Sequence, residues 1–328
     1  MKTNNVIAWE WWRRLGWWWL RTSIVAENHL MSKEDAGREA GFWLRHAFGV
    51  SEVELILERR VSGPLKIWRL ARFLYFIAQR GRGVPAAYLL GKKSFYGREF
   101  TVNRLVLIPR PASETMIDVC LPVATECDLV VDVGTGSGAL GITLALECKR
   151  PVVMTDCSRR ALRVARKNWE RLRPGSGAVD NGEANDSKTD NEWVQSVRFL
   201  PGDLLAPLAG PEFTAPNKLL VIANLPYLKT DSLKGLERSV QREPSLALDG
   251  GADGLELYIK LLDQLEEMLG RKKIKSEILD KKIFLVMECD PEQIEKLIEL
   301  VRAKFSLAEV VITKDCHGLD RVVSGWLT

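Results

Sequence analysis

Apolar positions recur along this chain with two different periods, and the changeover divides it. Over residues 33 to 80 they return every three or four places, in Phe42, Trp43, Leu44 and Phe48 and again in Leu65, Trp68, Leu70, Phe73, Leu74 and Ile77. That spacing predicts helices, and no strand pattern competes with it. Residues 1 to 21 continue the theme with six tryptophans: at about 100° per residue, Trp11, Trp12, Leu15, Trp18 and Trp19 share one arc, with Glu10, Arg14 and Arg21 opposite. The expected element is an amphipathic helix docked on the helices that follow, with a membrane surface as the alternative. Arg13 and Arg14 interrupt its apolar part and no small-residue cleavage site follows, which argues against a signal peptide.

Past the break at Gly81-Arg-Gly-Val-Pro85 the segment Phe95 to Ile108 reads as extended, and Pro109-Arg-Pro111 turns it into a helix starting near Ser113. From Leu129 onward short apolar runs alternate with helical stretches. The predicted strands are Leu129 to Val133, Pro151 to Thr155, Val197 to Leu200, Lys218 to Ala223, Ile283 to Glu288, Ala308 to Thr313 and Arg321 to Leu327. Seven strands interleaved with helices predict a mostly parallel, doubly wound α/β sheet. The resulting division is a helical domain over 1 to 90, a linker with a β-hairpin over 91 to 112, and an α/β domain over 113 to 328. Residues 174 to 192, rich in Gly, Asn, Asp and Ser, read as a surface insertion without a catalytic part.

The bulk composition changes this picture little. At 328 residues, 46% hydrophobic and 27% charged, the chain is an ordinary globular one, and no apolar run approaches the roughly 20 residues that span a bilayer. Its six cysteines form no C-x-x-C pair, and of its three histidines only His317 lies near one, beside Cys316, so buried reduced thiols are expected and a metal site is not. The charge is unevenly placed: residues 1 to 98 hold 17 basic against 8 acidic side chains, and Arg59 to Arg98 includes ten Lys or Arg with no acid. A solvated basic surface is one reading. An electrostatic docking face for an acidic protein or for RNA, using Arg69, Arg72 and Arg80, is the other.

Candidate chemistry gathers where strands end. The run VVDVGTGSGALG (Val130 to Gly141) is a strand that breaks into Gly134, Thr135, Gly136, Ser137 and Gly138 before a helix, a turn suited to close approach of a ligand to the main chain. Gly136-x-Gly138-x-x-Gly141 also fits a dinucleotide fingerprint. Three acids shift the balance toward S-adenosylmethionine: Asp132 inside the first strand, placed to hold the turn and face an ammonium; Asp156 closing the second, for ribose hydroxyls; and Asp203 after the third, for an adenine amine with Leu204 beside the ring. Successive carboxyl ends of strands make a shared ligand more economical than three independent turn residues. The fourth strand delivers Asn224-Leu-Pro-Tyr227 to the same edge. There the Asn224 side-chain oxygen and the Leu225 carbonyl can accept both hydrogens of a planar NH2, Pro226 stiffens the turn, and Tyr227 can lie against the acceptor. An amide and an exocyclic base amine both suit such a pocket. Neither is a good nucleophile, so positioning, hydrogen bonding and water exclusion must supply the activation.

With these motifs the chain resembles the HemK, or PrmC, protein-glutamine N5-methyltransferases. The likeness runs through EAGFWLRHAFGVSEVELIL (Glu39 to Leu57), PAAYLLGKKSFYGREFTVNRLVLIPRP (Pro85 to Pro111), the glycine turn, the Asn-x-Pro-Tyr motif, EPSLALDGGADGL (Glu243 to Leu255), MECDPEQ (Met287 to Gln293) and GLDRVV (Gly318 to Val323). It implies a class I S-adenosylmethionine-dependent methyltransferase, with a Rossmann-like seven-stranded sheet preceded by a small helical domain. The implied reaction methylates the glutamine of the Gly-Gly-Gln loop in class 1 peptide chain release factors. By the same resemblance Gly134 to Gly138 carry the methionine end of the cofactor, Asp156 its ribose, and Asp203 and Leu204 its adenine, while Asn224 to Tyr227 hold the acceptor glutamine. Arg110 and Glu114 fall in the family's interdomain loop, either in a supporting role or as a helix-start ion pair.

Two departures stand out: the family's Asn-Pro-Pro-Tyr is here Asn-Leu-Pro-Tyr, and Ala112 occupies a position where the loop usually carries an acid. The tryptophan-rich start and residues 174 to 192 have no counterpart in the family pattern. Ribosomal-RNA adenine-N6 dimethyltransferases also write Asn-Leu-Pro-Tyr, but their auxiliary domain generally follows the catalytic one, whereas here about 100 residues precede it. A glutamine in a ribosomal protein is a further alternative substrate, and a non-enzymatic binding module a further class. The reading as a whole expects a cytoplasmic monomer with a release factor as partner, no stable nucleic-acid binding, no transmembrane segment and no metal.

Overall fold

The computed structural model describes residues 13–16, 18, 33–50, 67–176, 192–210, 216–270, 282–305 and 307–327. Most of the tryptophan-rich start, residues 51–66 and most of the insertion at 174 to 192 lie outside the described residues. The chain divides into two compact units, one formed by Met1–Leu89 with Glu237–Arg242 and the other by Leu90–Leu236 with Glu243–Thr328.

The first unit is helical. Helix α1 (Lys33–Phe48) buries Ala36, Ala40, Trp43, Leu44 and Ala47, a stripe at helical spacing, against Phe73, Phe76 and Ile77 of α2 (Ile67–Gly81). The Trp43 and Phe76 rings meet with centroids 4.7 Å apart. The sequence periodicity named Trp68 and Leu74 among the apolar positions of α2, yet both are exposed, and the buried face runs through Phe73, Phe76 and Ile77 instead. Arg80, expected to offer its charge for docking, is spent internally: its guanidinium pairs with Glu39 and donates to the Val84 carbonyl at 2.7 Å. Earlier in the chain, Gly16 is buried close to Phe73, Ala40 and Ile77, while Trp18 is exposed.

The second unit opens with a hairpin, β1 (Lys92–Phe95) and β2 (Arg98–Thr101). Its two-residue turn, Tyr96 at φ 47° and Gly97 at φ 71°, has both central residues left-handed, the geometry that matches strand twist in tight hairpins. The extended stretch predicted as far as Ile108 ends at Thr101, because a turn at 104–106 closes on Asn103, whose carbonyl accepts from the Val106 N–H. A single 3-10 turn (Pro111–Ser113) then leads into α3 (Glu114–Ala124).

The main sheet has seven strands in the order β5-β4-β3-β6-β7-β9-β8. They are β3 (Leu129–Val133), β4 (Val152–Asp156), β5 (Arg198–Pro201), β6 (Lys218–Ala223), β7 (Lys282–Glu288), β8 (Leu307–Lys314) and β9 (Asp320–Leu327), and β9 alone runs against the others. Side chains alternate between two cores. Val130, Val152, Met154, Leu220, Ile222 and Val286 pack against α3, α4 (Ala139–Cys148) and α5 (Arg159–Leu172). Val131, Val133, Val221, Ala223, Leu285 and Met287 pack against α6 (Glu256–Gly270) and α7 (Ile294–Lys304). Sheets buried on both faces read as continuous apolar runs, which is why the central strands were visible in the sequence. Strand order reverses between β3 and β6, so the carboxyl ends of these two strands flank the crevice where open α/β sheets bind ligands.

One side chain ties the approach to this crevice together. Asn168 on α5 is fully buried; its amide oxygen accepts from the Thr101 N–H at 2.8 Å, and its nitrogen donates to the carbonyls of Thr101 at 3.0 Å and Ser137 at 2.9 Å. Three main-chain groups of the hairpin and the glycine turn thus depend on one amide. Asn168→Leu leaves them unpaired in a dry site and should lower stability by about 2–4 kcal/mol. Chemical denaturation measures this, and an unchanged midpoint would contradict it.

Candidate active site

The glycine turn is held from two sides. The Gly134 and Thr135 N–H groups both donate to the Thr155 carbonyl of β4 at 2.9 Å, and Asp132 clamps the turn from below. Its Oδ2 accepts from the Thr135 hydroxyl at 2.5 Å and from the Gly141 N–H at 2.8 Å, while its Oδ1 is buried with no hydrogen-bond partner among the described residues. Burial pushes the Asp132 carboxyl up to about 6, against the pull of those two donors. A buried acceptor without a partner is costly on its own, and it suits a cationic or N–H group carried by a ligand. Gly136, at φ 57°, has nothing nearer than the Gly134 carbonyl, 4.0 Å from where a Cβ would stand, so the main chain there is open to approach.

Asp156 closes β4 with both oxygens engaged by main chain, Oδ2 by the Gly136 N–H at 2.9 Å and Oδ1 by the Ser158 N–H at 2.7 Å. Burial raises its carboxyl above the ordinary range. These donors fix its direction and leave each oxygen a further lone pair for hydroxyls. Asp203 follows β5 and forms an ion pair with Lys260 of α6. Beside it Leu204 is buried in a left-handed conformation, φ 52°, and Gln264 of α6 holds the loop by accepting from the Leu205 N–H at 2.7 Å and donating to the Asp203 carbonyl at 3.3 Å.

The acceptor turn lies against the glycine turn: a Cβ on Gly134 would come within 3.0 Å of Leu225 Cδ2. Asn224 uses its amide nitrogen away from the crevice, donating to Ser113 Oγ at 2.9 Å and to Glu288 Oε2 at 3.0 Å. Its oxygen is thereby the end left for a ligand. The Leu225 N–H donates to the Tyr258 hydroxyl at 3.2 Å, and that hydroxyl gives its one hydrogen to the nearer Glu288 carbonyl, with the Leu225 carbonyl as a longer alternative at 3.4 Å, so the Leu225 carbonyl keeps acceptor capacity. The Leu225 side chain is buried in the core, which shows what replaces the rigidity of a second proline: packing of an apolar side chain. Gln293 donates to the Tyr227 carbonyl at 2.9 Å, and the Tyr227 hydroxyl is 3.5 Å from Glu288 Oε1. Burial and the nearby Glu288 charge push the Tyr227 hydroxyl well above its ordinary range.

The segment after the turn packs too closely for side chains. The Gly250 N–H donates to the Leu228 carbonyl at 2.8 Å, and a Cβ on Gly254 would collide with the Tyr227 carbonyl and Gln293 Nε2. Arg110 and Glu114 do not pair with each other. Arg110 pairs with the buried carboxylate of Glu243, which also accepts from the Ile108 N–H at 3.0 Å, and Glu114 accepts from the Tyr96 N–H at 2.8 Å.

Every residue that the sequence assigned to the cofactor or the acceptor therefore lies at or beside a carboxyl end of β3, β4, β5 or β6, whereas Arg110 and Glu114 precede β3; the turns after β3 and β6 touch. Sequence reasoning missed Ser113, Tyr258, Lys260, Gln264, Glu288 and Gln293. Glu288 and Gln293 carried a signal, since both fall in the MECDPEQ run and Glu288 ends β7 at the same edge. The six cysteines are free as expected, but Cys157 and Cys316 are exposed rather than buried. Among the described residues no cluster of His, Cys, Asp and Glu could hold a metal ion.

Comparison with known proteins identifies the relatives of this chain. Residues 25–91 match the PrmC N-terminal domain family and residues 111–193 the methyltransferase small domain family. The chain is 34% identical over 300 residues to a release factor glutamine methyltransferase of Bacillus subtilis, covering 88% of this chain and 92% of that protein. It is 35% identical over 259 residues to a protein of the same name from Bacillus anthracis, covering 76% and 79%. Among solved structures, the catalytic domain of hMettl16 in complex with a MAT2A 3'UTR hairpin aligns with a TM-score of 0.50 at 14% identity, over 74% of this chain and 81% of that one. That last likeness concerns fold alone.

The lack of room at Gly254 has a measurable consequence. Its φ of 81° and the facing Tyr227 carbonyl mean that Gly254→Ala should cost about 1–3 kcal/mol. A denaturation midpoint equal to that of the parent protein would show that the loop adjusts without strain.

Proposed function

The chain belongs to the release factor glutamine methyltransferase family, and we propose how its own residues carry out that family's reaction. It is an S-adenosylmethionine-dependent enzyme that methylates the side-chain amide nitrogen of a release-factor glutamine. The cofactor supplies an electrophilic methyl group on a sulfonium. Asp132, through its unpartnered Oδ1, and the main chain of Gly134, Thr135, Gly136, Ser137 and Gly138 hold its methionine end; Asp156 takes the ribose, and Asp203 with Leu204 the adenine. Asn224 borders both ligands.

The observation that carries the acceptor assignment is the pair of acceptors beside the glycine turn, Asn224 Oδ1 and the Leu225 carbonyl, the latter meeting only the long 3.4 Å contact of the Tyr258 hydroxyl. Together they accept both hydrogens of a planar NH2. That holds the nitrogen in place and favours the positive charge that develops on it as its lone pair is drawn from the amide π-system. Pro226 and Tyr227 wall the pocket and exclude water. The proton leaves to water after transfer, so no general base is required. A termination factor as substrate puts the reaction in the cytoplasm, and one chain holds every residue used here, so a monomer suffices. Among the described residues no helix is long and apolar enough to cross a membrane.

Incubation with labelled S-adenosylmethionine and a purified class 1 release factor tests this reading. Label should appear on the Gly-Gly-Gln factor and not on a Gly-Gly-Ala version; label on RNA, or on a ribosomal protein in place of the factor, would overturn it. Asn224→Ala should retain cofactor binding and lose about a hundredfold or more in kcat. Asp156→Ala should instead lose cofactor affinity. The reverse pattern would undo the assignment of roles.

We further propose that the basic helical unit docks the release factor. Arg80 is committed to Glu39, so the charges available on α2 include Arg69, stacked on Trp68, and Arg72, over Phe76. Reversing both, Arg69→Glu with Arg72→Glu, should raise KM about fivefold or more at low salt and less at high salt. An unchanged KM at low salt would count against docking there.

A further inference from the structure

The buried carboxylate of Glu288 has no part in the scheme above, although it touches two of the residues that do. Its side chain ends β7 at 1% exposure, with Oε2 on the Asn224 amide nitrogen and Oε1 3.5 Å from the Tyr227 hydroxyl. Ser113 supplies the second contact of the same nitrogen. A carboxylate only accepts hydrogen bonds, so the end of the Asn224 amide that faces it must be the NH2. With Ser113 Oγ taking the other N–H, both donors of that amide are used and neither can turn toward the crevice. The Ser113 hydroxyl in turn donates to Glu288; burial raises this carboxyl above its ordinary range, against the lowering pull of that hydroxyl, the Arg321 charge and the Tyr227 hydroxyl, with the Asp315 charge adding to the rise.

We propose that Glu288 and Ser113 are positioning residues that lock Asn224 with only its oxygen toward the acceptor, and that the buried charge of Glu288 makes the pocket select a neutral side-chain amide over a carboxylate. Glutamine and glutamate differ there by one NH2 against one oxygen. Glutamine brings two hydrogens to two waiting acceptors. Glutamate brings lone pairs against Asn224 Oδ1 and the Leu225 carbonyl, with a second negative charge one side-chain amide behind them. Weakly screened like charges and unpaired buried acceptors both oppose it. A site built this way rejects an isostere by the hydrogen bonds the isostere leaves unmade.

The inference rests on the glutamine-methylation reading, and the measurements separate the two. Wild-type enzyme is assayed with labelled cofactor on a Gly-Gly-Gln factor, with Gly-Gly-Gln and Gly-Gly-Glu loop peptides as competitors. Failure of the wild type to label the factor sinks the reading itself. Given a labelling wild type, Glu288→Gln, which keeps one acceptor for Asn224 and removes the charge, should bind S-adenosylmethionine as before. Its inhibition constant for the Gly-Gly-Glu peptide should tighten relative to that for Gly-Gly-Gln by about tenfold, the scale of one charge-assisted contact. A ratio equal to the wild-type value in a cofactor-binding Glu288→Gln protein overturns the selectivity. Ser113→Ala keeps the charge and loosens the amide. It should lower kcat by about tenfold or more with cofactor affinity and the peptide ratio unchanged, and full kcat in that variant overturns the positioning role. If Glu288→Gln does not fold, Ser113→Ala still decides whether the amide needs to be held.

Discussion

A carboxylate buried among hydrogen-bond donors organises the working edge of this protein. Taking an anion out of water costs several kcal/mol unless its lone pairs are filled, and Glu288 at the end of β7 is filled by the Asn224 amide, with the hydroxyls of Ser113 and Tyr227 in reach. Each of those donors comes from a different segment: the loop after the Pro109-Arg-Pro111 run, the end of β6, and the turn that follows it. The requirement to satisfy one charge therefore draws three stretches of chain to one point. The same requirement decides which way the acceptor amide faces.

A second convergence comes from α6. Tyr258, Leu261, Leu262 and Leu265 form its buried stripe, with Leu255 buried just before it, and this packing against the sheet aims its polar members at two loops at once. Tyr258 reaches the Leu225 N–H and the Glu288 carbonyl after β6 and β7, while Lys260 and Gln264 reach the loop around Asp203 after β5. One rigid element thus sets the spacing between the loop around Asp203 and the turn around Leu225. The glycine pair Gly250 and Gly251, with Gly254, lets the chain enter this helix while lying flat on the acceptor turn.

Much of this was legible in the residues. The central strands bury both faces and read as apolar runs, so their limits came within a residue or two, and the acids at their ends stood out because polar residues there interrupt an otherwise apolar pattern. What stayed hidden depends on contacts distant in sequence. Glu288 and Ser113 lie 64 and 111 positions from Asn224, and nothing local to either announces the partner. Helical periodicity located α2 but not which of its faces is covered, so Trp68 and Leu74 were grouped with Phe73 and Ile77. The hairpin turn at Tyr96 was unmarked because tyrosine is an unusual residue at positive φ; its hydroxyl bond to Asp118, at 2.8 Å, and its N–H bond to Glu114 hold it there.

On the proposed acceptor assignment, the two oxygens after β6 also impose arithmetic on the reaction. An unmodified side-chain amide has two hydrogens and satisfies both Asn224 Oδ1 and the Leu225 carbonyl; once methylated it has one, and one of the two oxygens must face a methyl group instead. The product fits its own cradle worse than the substrate did. Release is thereby favoured, and a second methylation would have to begin from a misfit. The pocket is in this sense a counter, set to one.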